Sequence, residues 1–553
     1  MSTFEQIANN SKKSTALLLF ISVAFFIGLG NVHLFDWDEI NFAESAREMI
    51  TSGDYLRVQI NFAPFWEKPP LFLWLQVGSM KLFGINEFAA RFPNAVFGFI
   101  YLITFYFIGK KHFSGKFGLM WALIFYATLL PHIYFKSGII DPVFNYCIFL
   151  SVYFMIRVIN GNDKKKGGLA LVSGVLSGLS VLTKGPVGFL LLALTLLIYL
   201  TIKKFKPFPK VKYIGFFFIG FISIILSWLS VEIFNNGFTI IQKFIVYQAE
   251  LFNSNVAGHE QPFYYHFVVV FLGCFPISIL ALPSLMKRRW DITLDLHSWM
   301  LCLFWGVLIL FSLVTTKIIH YSSMTWAPLS FIAALTLYKV SKGEYEFKKS
   351  LRIAFLGLGL LIGSAIIAIP LLLINKEWLL SITTNQYAHD SIAQPIQWSY
   401  FEVVSGFMFI IGTIVCFLFL HKQKIATFIV SAALFMTAVL LSVQLMIIPK
   451  IEQITQGPAI DFFEKLRGKD CYVECYGFKS YAHYFYFQQP HDQTPEQKTM
   501  NWLVNGNIDK PVYLITKSDN NEVAQWEQFR LLMKKGGFRV YKRELDSKQM
   551  PTP

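Results

Sequence analysis

The chain has 553 residues, 54% of them apolar and only 15% charged, against about 25% charged in ordinary soluble domains. That excludes a string of soluble domains. The formal net charge of +15 could point to nucleic acid, but the placement of the basic residues argues against that.

Apolar runs long enough to cross a bilayer, roughly 20 residues each, recur along most of the chain. They predict about 13 spans, near 14–34, 91–109, 117–135, 142–158, 168–183, 186–202, 213–233, 265–286, 297–316, 321–340, 353–374, 402–420 and 425–447. The first is preceded by Lys12 and Lys13, as in a signal peptide. Its apolar run is too long for one and lacks a small-residue cleavage site, so it reads as an uncleaved span. With the N-terminus in the cytoplasm, one set of loops gathers about two dozen Lys and Arg, including Lys110, Lys111, Lys164–Lys166, Lys203, Lys204 and Lys287–Arg289. The opposite loops hold about ten, an asymmetry that orients the chain. The excess charge therefore faces anionic lipid headgroups.

The first outer loop, about 35–90, holds the densest chemistry. Asp36 and Glu39 have capping-box spacing. Phe42, Ala43, Ala46, Met49 and Ile50 then share one helical face and Gly53 marks a stop, predicting an amphipathic helix at the outer membrane surface with Asp38 in its first turn. Next, Trp66-Glu67-Lys68-Pro69-Pro70 puts Lys68 before a proline-started helix running from Leu71 to Phe83. Thr183-Lys184-Gly185-Pro186 repeats that grammar on the same side. Two lysines beside helix N-termini suit a lipid-linked phosphate. Asp141, in Gly138-Ile139-Ile140-Asp141-Pro142, opens the fourth span. Singly, each has a plainer reading: a helix-start charge for Asp38 and Asp141, snorkelling for Lys68 and Lys184. The four become notable because all are assigned to one face of the membrane.

Further outer segments carry His259, Glu260 and Pro262–His266, then Lys317, Ile318, Ile319, His320 and Tyr321, then Tyr387, His389 and Asp390. From about 451 to 553 the composition changes to a small outer α/β domain. Strands are expected at Cys471–Gly477, Pro511–Lys517 and Phe538–Lys542, and a helix at Gln525–Lys535. Cys471 and Cys475 on one strand would lie roughly 13 Å apart, too far to bridge. The remaining four cysteines fall in or beside spans.

The run Asp38-Glu39-Ile40-Asn41-Phe42-Ala43-Glu44-Ser45-Ala46-Arg47-Glu48-Met49, with Trp66-Glu67-Lys68-Pro69-Pro70-Leu71 and Asn86–Arg91, resembles the lipid A aminoarabinose transferase and protein O-mannosyltransferase group of GT-C polytopic glycosyltransferases. Asn41-Phe42 stands where that group often has Arg-Tyr, and Phe65 where tyrosine is common. The resemblance implies an all-α GT-C membrane domain over 1–450, an outer domain over 451–553, and location in the cytoplasmic membrane. It implies transfer of a sugar from a polyprenyl-phosphate donor to an acceptor hydroxyl on a lipid, glycan or protein. Asp38 matches the acidic catalytic position, Lys68 the lysine on the donor phosphate, and Glu67 its neighbour. Asp141 and Lys184 fall at further cavity positions. Lys317 and Tyr321 look like the Lys-x-x-x-Tyr segment of the donor cavity. Glu67 with His259 is a candidate metal pair, although zinc generally needs three or four ligands, so no cofactor is expected. One-step displacement would invert the anomeric centre. A lipid or solute transporter, a non-catalytic envelope scaffold, and a ligase or polymerase of diphosphate-linked oligosaccharides are the competing readings. Transporters favour charges near the bilayer midplane, whereas these gather on one side.

Overall fold

The structure is a computed structural model that describes residues 3–65, 67–238, 242–243, 246, 260–286, 295–490, 493–494 and 496–545. His259, Trp66 and Lys287–Arg289 lie outside the described residues. Each expected apolar stretch contains helix, but four are not single straight rods. The first is α1 (Thr3–Asn9), then α2 (Ser11–Ser22), and it ends in one 3-10 turn at Val23–Phe25. The third divides into α6 (Gly115–Tyr126) and α7 (Leu129–Tyr134). The eighth is bent by 103° between Tyr265–Gly273 and Ile277–Met286, at Pro276, which has no N–H to continue a helical ladder. The tenth opens as a 3-10 segment, Ile319–Thr325, before the Trp326–Ser341 helix. Among the described residues, eight helices are long and apolar enough to cross a membrane, or nine with the bent pair. The final span, Ile425–Thr455, runs across position 450 through a π turn at Val443–Ile447.

Close helix packing sets the geometry of the helix ends that carry the candidate residues. In α9 (Lys166–Lys184) a Cβ at Gly174 would stand 1.9 Å from the Phe217 carbonyl oxygen of α11 (Val211–Asn236). Only glycine lets these two backbones approach so closely. Gly185, at φ +86°, then ends α9, so Lys184 is the last residue of that helix as well as a neighbour of α10 (Val187–Ile202).

Between the first span and α5 (Glu87–His112) come α3 (Asp38–Ser52), a two-residue hairpin of β1 (Gln59–Ile60) and β2 (Ala63–Pro64), and α4 (Leu71–Phe83). The hairpin turns on Asn61 and Phe62, both at positive φ, as its tight geometry demands. Glu48 accepts from the Phe62 N–H at 2.8 Å, and Lys498 donates to the Asn61 carbonyl at 2.7 Å.

The tail forms a four-stranded sheet in the order β3-β4-β6-β5, with β3 (Tyr472–Cys475) parallel to β4 (Val512–Lys517) and the remaining pairs antiparallel. The helix expected at Gln525–Lys535 is absent. Arg530–Lys535 is strand β5, hairpinned through Gly536 onto β6 (Phe538–Arg543). Helix-favouring Leu, Met and Lys are overridden there by cross-strand pairing, a common outcome where tertiary context decides. Cys471 and Cys475 are both free and buried. Ile40, Phe42 and Ala46 of α3 share one buried cluster with Phe463, Phe485, Tyr486 and Ile515 of the tail. The loop after the first span and the tail therefore fold on a common core.

Candidate active site

The expected capping box does not form. Trp37 occupies the N-cap of α3 and makes no side-chain cap. Asp36 instead turns toward the tail, where its Oδ1 accepts from the Tyr481 N–H at 3.4 Å. Burial, together with the nearby Asp38 charge, raises the Asp36 carboxyl above its ordinary range despite hydrogen bonds from Ser480 and Tyr481.

Glu39 points inward. Arg91 grips it with a fork, Nε to Oε1 at 3.0 Å and an NH2 nitrogen to Oε2 at 2.8 Å. The Phe35 and Gly138 N–H groups supply two more bonds, at 2.9 and 2.5 Å. Burial alone would raise this carboxyl, but Arg91 and the two amides hold it below the usual range. With Glu39 anchoring the start of α3, the adjacent Asp38 carboxylate is left facing the site, its side chain 30% exposed.

Opposite Asp38 lies His320, with Nε2 3.4 Å from Asp38 Oδ2. Behind it, Asp141 begins α8 (Asp141–Asn160) and is buried. Lys184 donates to Asp141 Oδ1 at 2.6 Å, and the Ser323 hydroxyl approaches the same oxygen at 3.4 Å. Asn145 fixes Ser323 with a 2.8 Å bond. The Lys184 ammonium also sits 5.3 Å from the Tyr321 ring centroid and 5.6 Å from that of Phe144, a cation–π cage in a desolvated setting. Lys68 lies within electrostatic reach of both Asp141 and His320, and has no ion-pair partner among the described residues. Tyr321 is within reach of Asp38, Asp141 and Glu67.

Asp38, Lys68, Asp141, Lys184 and Tyr321 thus converge around His320, with Glu67 in reach of Tyr321. Lys317 does not join them: its ammonium donates to the Gln261 carbonyl at 2.9 Å and is buried. Glu39 is committed to Arg91. Among the described residues no three of His, Cys, Asp and Glu are grouped to hold a metal. Tyr387 packs on Phe538 of the tail at 5.5 Å between ring centroids.

Sequence reasoning passed over His320, Ser323 and Asn145, and the tail's contribution entirely. His320 had one available signal, its place beside Tyr321. Tyr481 meets the Trp37 ring edge-on at 5.2 Å, and the Lys479 ammonium stands 4.5 Å from the Trp37 ring centroid. Tyr481 also lies within electrostatic reach of Glu67 and Asp38. The tail therefore builds one wall beside the first turn of α3.

Residues 67–228 match the family described as dolichyl-phosphate-mannose-protein mannosyltransferase. An uncharacterised protein of Aquifex aeolicus (strain VF5) is 31% identical over 334 residues, 59% of this chain and 74% of that relative. The undecaprenyl phosphate-alpha-4-amino-4-deoxy-L-arabinose arabinosyl transferase of Wigglesworthia glossinidia brevipalpis is 25% identical over 347 residues, 61% of each chain. The match thus spans about three-fifths of the length of that named transferase. ArnT from Cupriavidus metallidurans, solved bound to undecaprenyl phosphate, superposes with a TM-score of 0.76 over 97% of this chain and 99% of its own, at 17% identity. With its fold shared end to end and its first outer loop leading into the matched segment, the chain belongs to the GT-C polytopic membrane glycosyltransferases.

Proposed function

We propose that the protein transfers a sugar from a polyprenyl-phosphate donor to an acceptor hydroxyl on the outer side of the cytoplasmic membrane, with inversion. The observation that carries this reading is one constellation at the ends of several helices. A partly exposed carboxylate, Asp38, lies with two ammonium groups, Lys68 and Lys184, around a half-buried imidazole. Asp38 takes the proton of the acceptor hydroxyl as the general base. The leaving group is a lipid phosphate, and its growing charge falls to Lys68 and Lys184. Lys184 has three N–H donors and gives one to Asp141, so Asp141 orients it and leaves donors for phosphate. Lipid, glycan and protein hydroxyls are all chemically competent acceptors, and glutamate, histidine or metal chemistry at Glu67 and His259 is not needed for this scheme.

Lys68 tests the donor assignment. Lys68→Ala protein is expected to bind undecaprenyl phosphate at least about tenfold more weakly, the lower range for removing one charge-assisted contact. Lys68→Arg recovers part of the loss, because a planar fork does not reproduce a compact ammonium. Affinity is measured in nanodiscs at equal folded amounts. Unchanged donor affinity would move Lys68 to the acceptor side. In matched cells with and without the protein, mass spectrometry of envelope lipids, glycans and glycoproteins should reveal one missing sugar mass.

The orientation is testable with single cysteines. Asp470, whose side chain is 78% exposed, is a suitable site in the tail, whereas Ser518 is buried. Asp470→Cys should react with an impermeant maleimide from outside the cytoplasmic membrane. Lys165→Cys should react only after that membrane is opened. The reverse pattern would put the whole constellation on the cytoplasmic side.

A further inference from the structure

We infer that His320 is the proton sink of the site: it relays the acceptor's proton away from Asp38 and then stands as a third cation beside the departing phosphate. This deepens the glycosyl-transfer reading and rests on it. His320 lies in the 3-10 segment between the Leu296–Leu313 and Trp326–Ser341 helices. The Leu296–Leu313 and Trp326–Ser341 helices pack on this segment, and the charged groups that reach His320 come from four other segments. Asp38 comes from α3, Lys68 from the strand-to-α4 connection, Asp141 from α8 and Lys184 from α9. Tyr321 adjoins it with ring centroids 5.4 Å apart, and His266 of the Tyr265–Gly273 helix feels its charge. The side chain is only 12% exposed.

The physical need is a matter of charge. A carboxylate is a weak base, so a proton taken from the acceptor needs a better resting place. An imidazole is a far better resting place for it. Nε2 and Oδ2 are 3.4 Å apart, too far for a made bond between these groups. With His320 resting as the Nδ1–H tautomer, its Nε2 lone pair faces Asp38, and the bond closes when Asp38 acquires a proton.

The step balances. The acceptor O–H bond breaks, and its oxygen forms a bond to the anomeric carbon. The anomeric C–O bond to phosphate breaks with its electron pair left on phosphate. The proton passes from Asp38 Oδ2 to His320 Nε2. The donor diester carries one negative charge, whereas the released monoester approaches about two. One proton on His320 matches that increment. Two carboxylates, Asp38 and Asp141, and two ammonium groups, Lys68 and Lys184, surround the imidazole within electrostatic reach. An imidazole so placed can take a proton when the phosphate dianion arrives.

Undecaprenyl phosphate is the probe. Its binding to the full-length protein in nanodiscs is measured by calorimetry at pH 7.5 in two buffers of different ionisation enthalpy. The wild-type protein should take up about half a proton or more per lipid bound. His320→Gln should bind the lipid without that uptake. His320→Lys, with its charge fixed, should bind at least as tightly as His320→Gln, also without uptake. Uptake persisting in His320→Gln, or lipid binding to wild type with no uptake, would overturn the inference while leaving the donor assignment intact. Failure of the wild type to bind undecaprenyl phosphate would instead overturn the donor assignment, and this inference with it.

Discussion

Asp38→Asn protein should fold, bind undecaprenyl phosphate and transfer sugar at least about a hundredfold more slowly than the parent, the lower range for a lost general base. The substitution keeps size and a carbonyl oxygen but removes the proton acceptor. Folding is expected to survive because the neighbouring residue does the anchoring. Glu39 is the carboxylate tied to Arg91, Phe35 and Gly138, whereas Asp38 is partly exposed and, among the described residues, pairs with His320 alone. The measurement is single-turnover transfer with donor in excess, once mass spectrometry has named the sugar. A near-parental rate would reduce Asp38 to a charge that favours the helix start.

Arg91→Ala should give the largest loss of stability, about 3–5 kcal/mol, the range for breaking a buried ion pair by removing one partner. Besides Glu39, Arg91 donates to the Leu29, Val32 and His33 carbonyls at 2.7, 2.8 and 2.9 Å. It therefore ties the end of the first span to the start of α3. Removing it strands one carboxylate and three carbonyls in a buried place. Arg91→Lys should recover a minor part, having one ammonium for a five-donor fork. The readout is thermal unfolding in detergent at constant lipid. The pH dependence carries the same signature. The folded Glu39 carboxyl lies below its ordinary 4.5. Its stabilisation is therefore whole above about that pH and is lost as pH falls through the lower, folded value. Arg91→Ala should lack this acid-side loss. An Arg91→Ala protein as stable as the parent would show that the fork is dispensable.

Much of this was legible locally. Asp38 and Lys68 stand in short motifs whose grammar, a helix start and a proline-started helix, is written in adjacent residues. Lys184 and Asp141 could be placed on one side of the membrane by charge asymmetry, but not as partners, since they are 43 positions apart and only the packing of α8 on α9 joins them. Glu39 was misjudged for a related reason. Its spacing from Asp36 fits a cap, yet Arg91, 52 positions away, competes for the carboxylate and takes both oxygens. In the tail, Gln525–Lys535 is made of good helix formers, and only the hairpin partner Phe538–Arg543 decides for strand. His320 had only its place beside Tyr321 as a local signal. Its importance comes from four groups on four other segments.

The union of the first outer loop with the tail also sets a timetable. Asp36 meets Tyr481 across 445 positions, and the Leu34 N–H reaches the Tyr486 hydroxyl across 452. At synthesis rates of roughly 5–20 residues per second, these partners emerge roughly 20–90 s apart. For that interval Asp38 and its neighbours lack the wall that Tyr481 and Lys479 supply, and the apolar face of α3 waits uncovered. A chain halted before the sheet is made would thus sit in the bilayer with all its spans and an unfinished site. On the proposed orientation, passage of the tail across the membrane is the step that completes the wall beside Asp38.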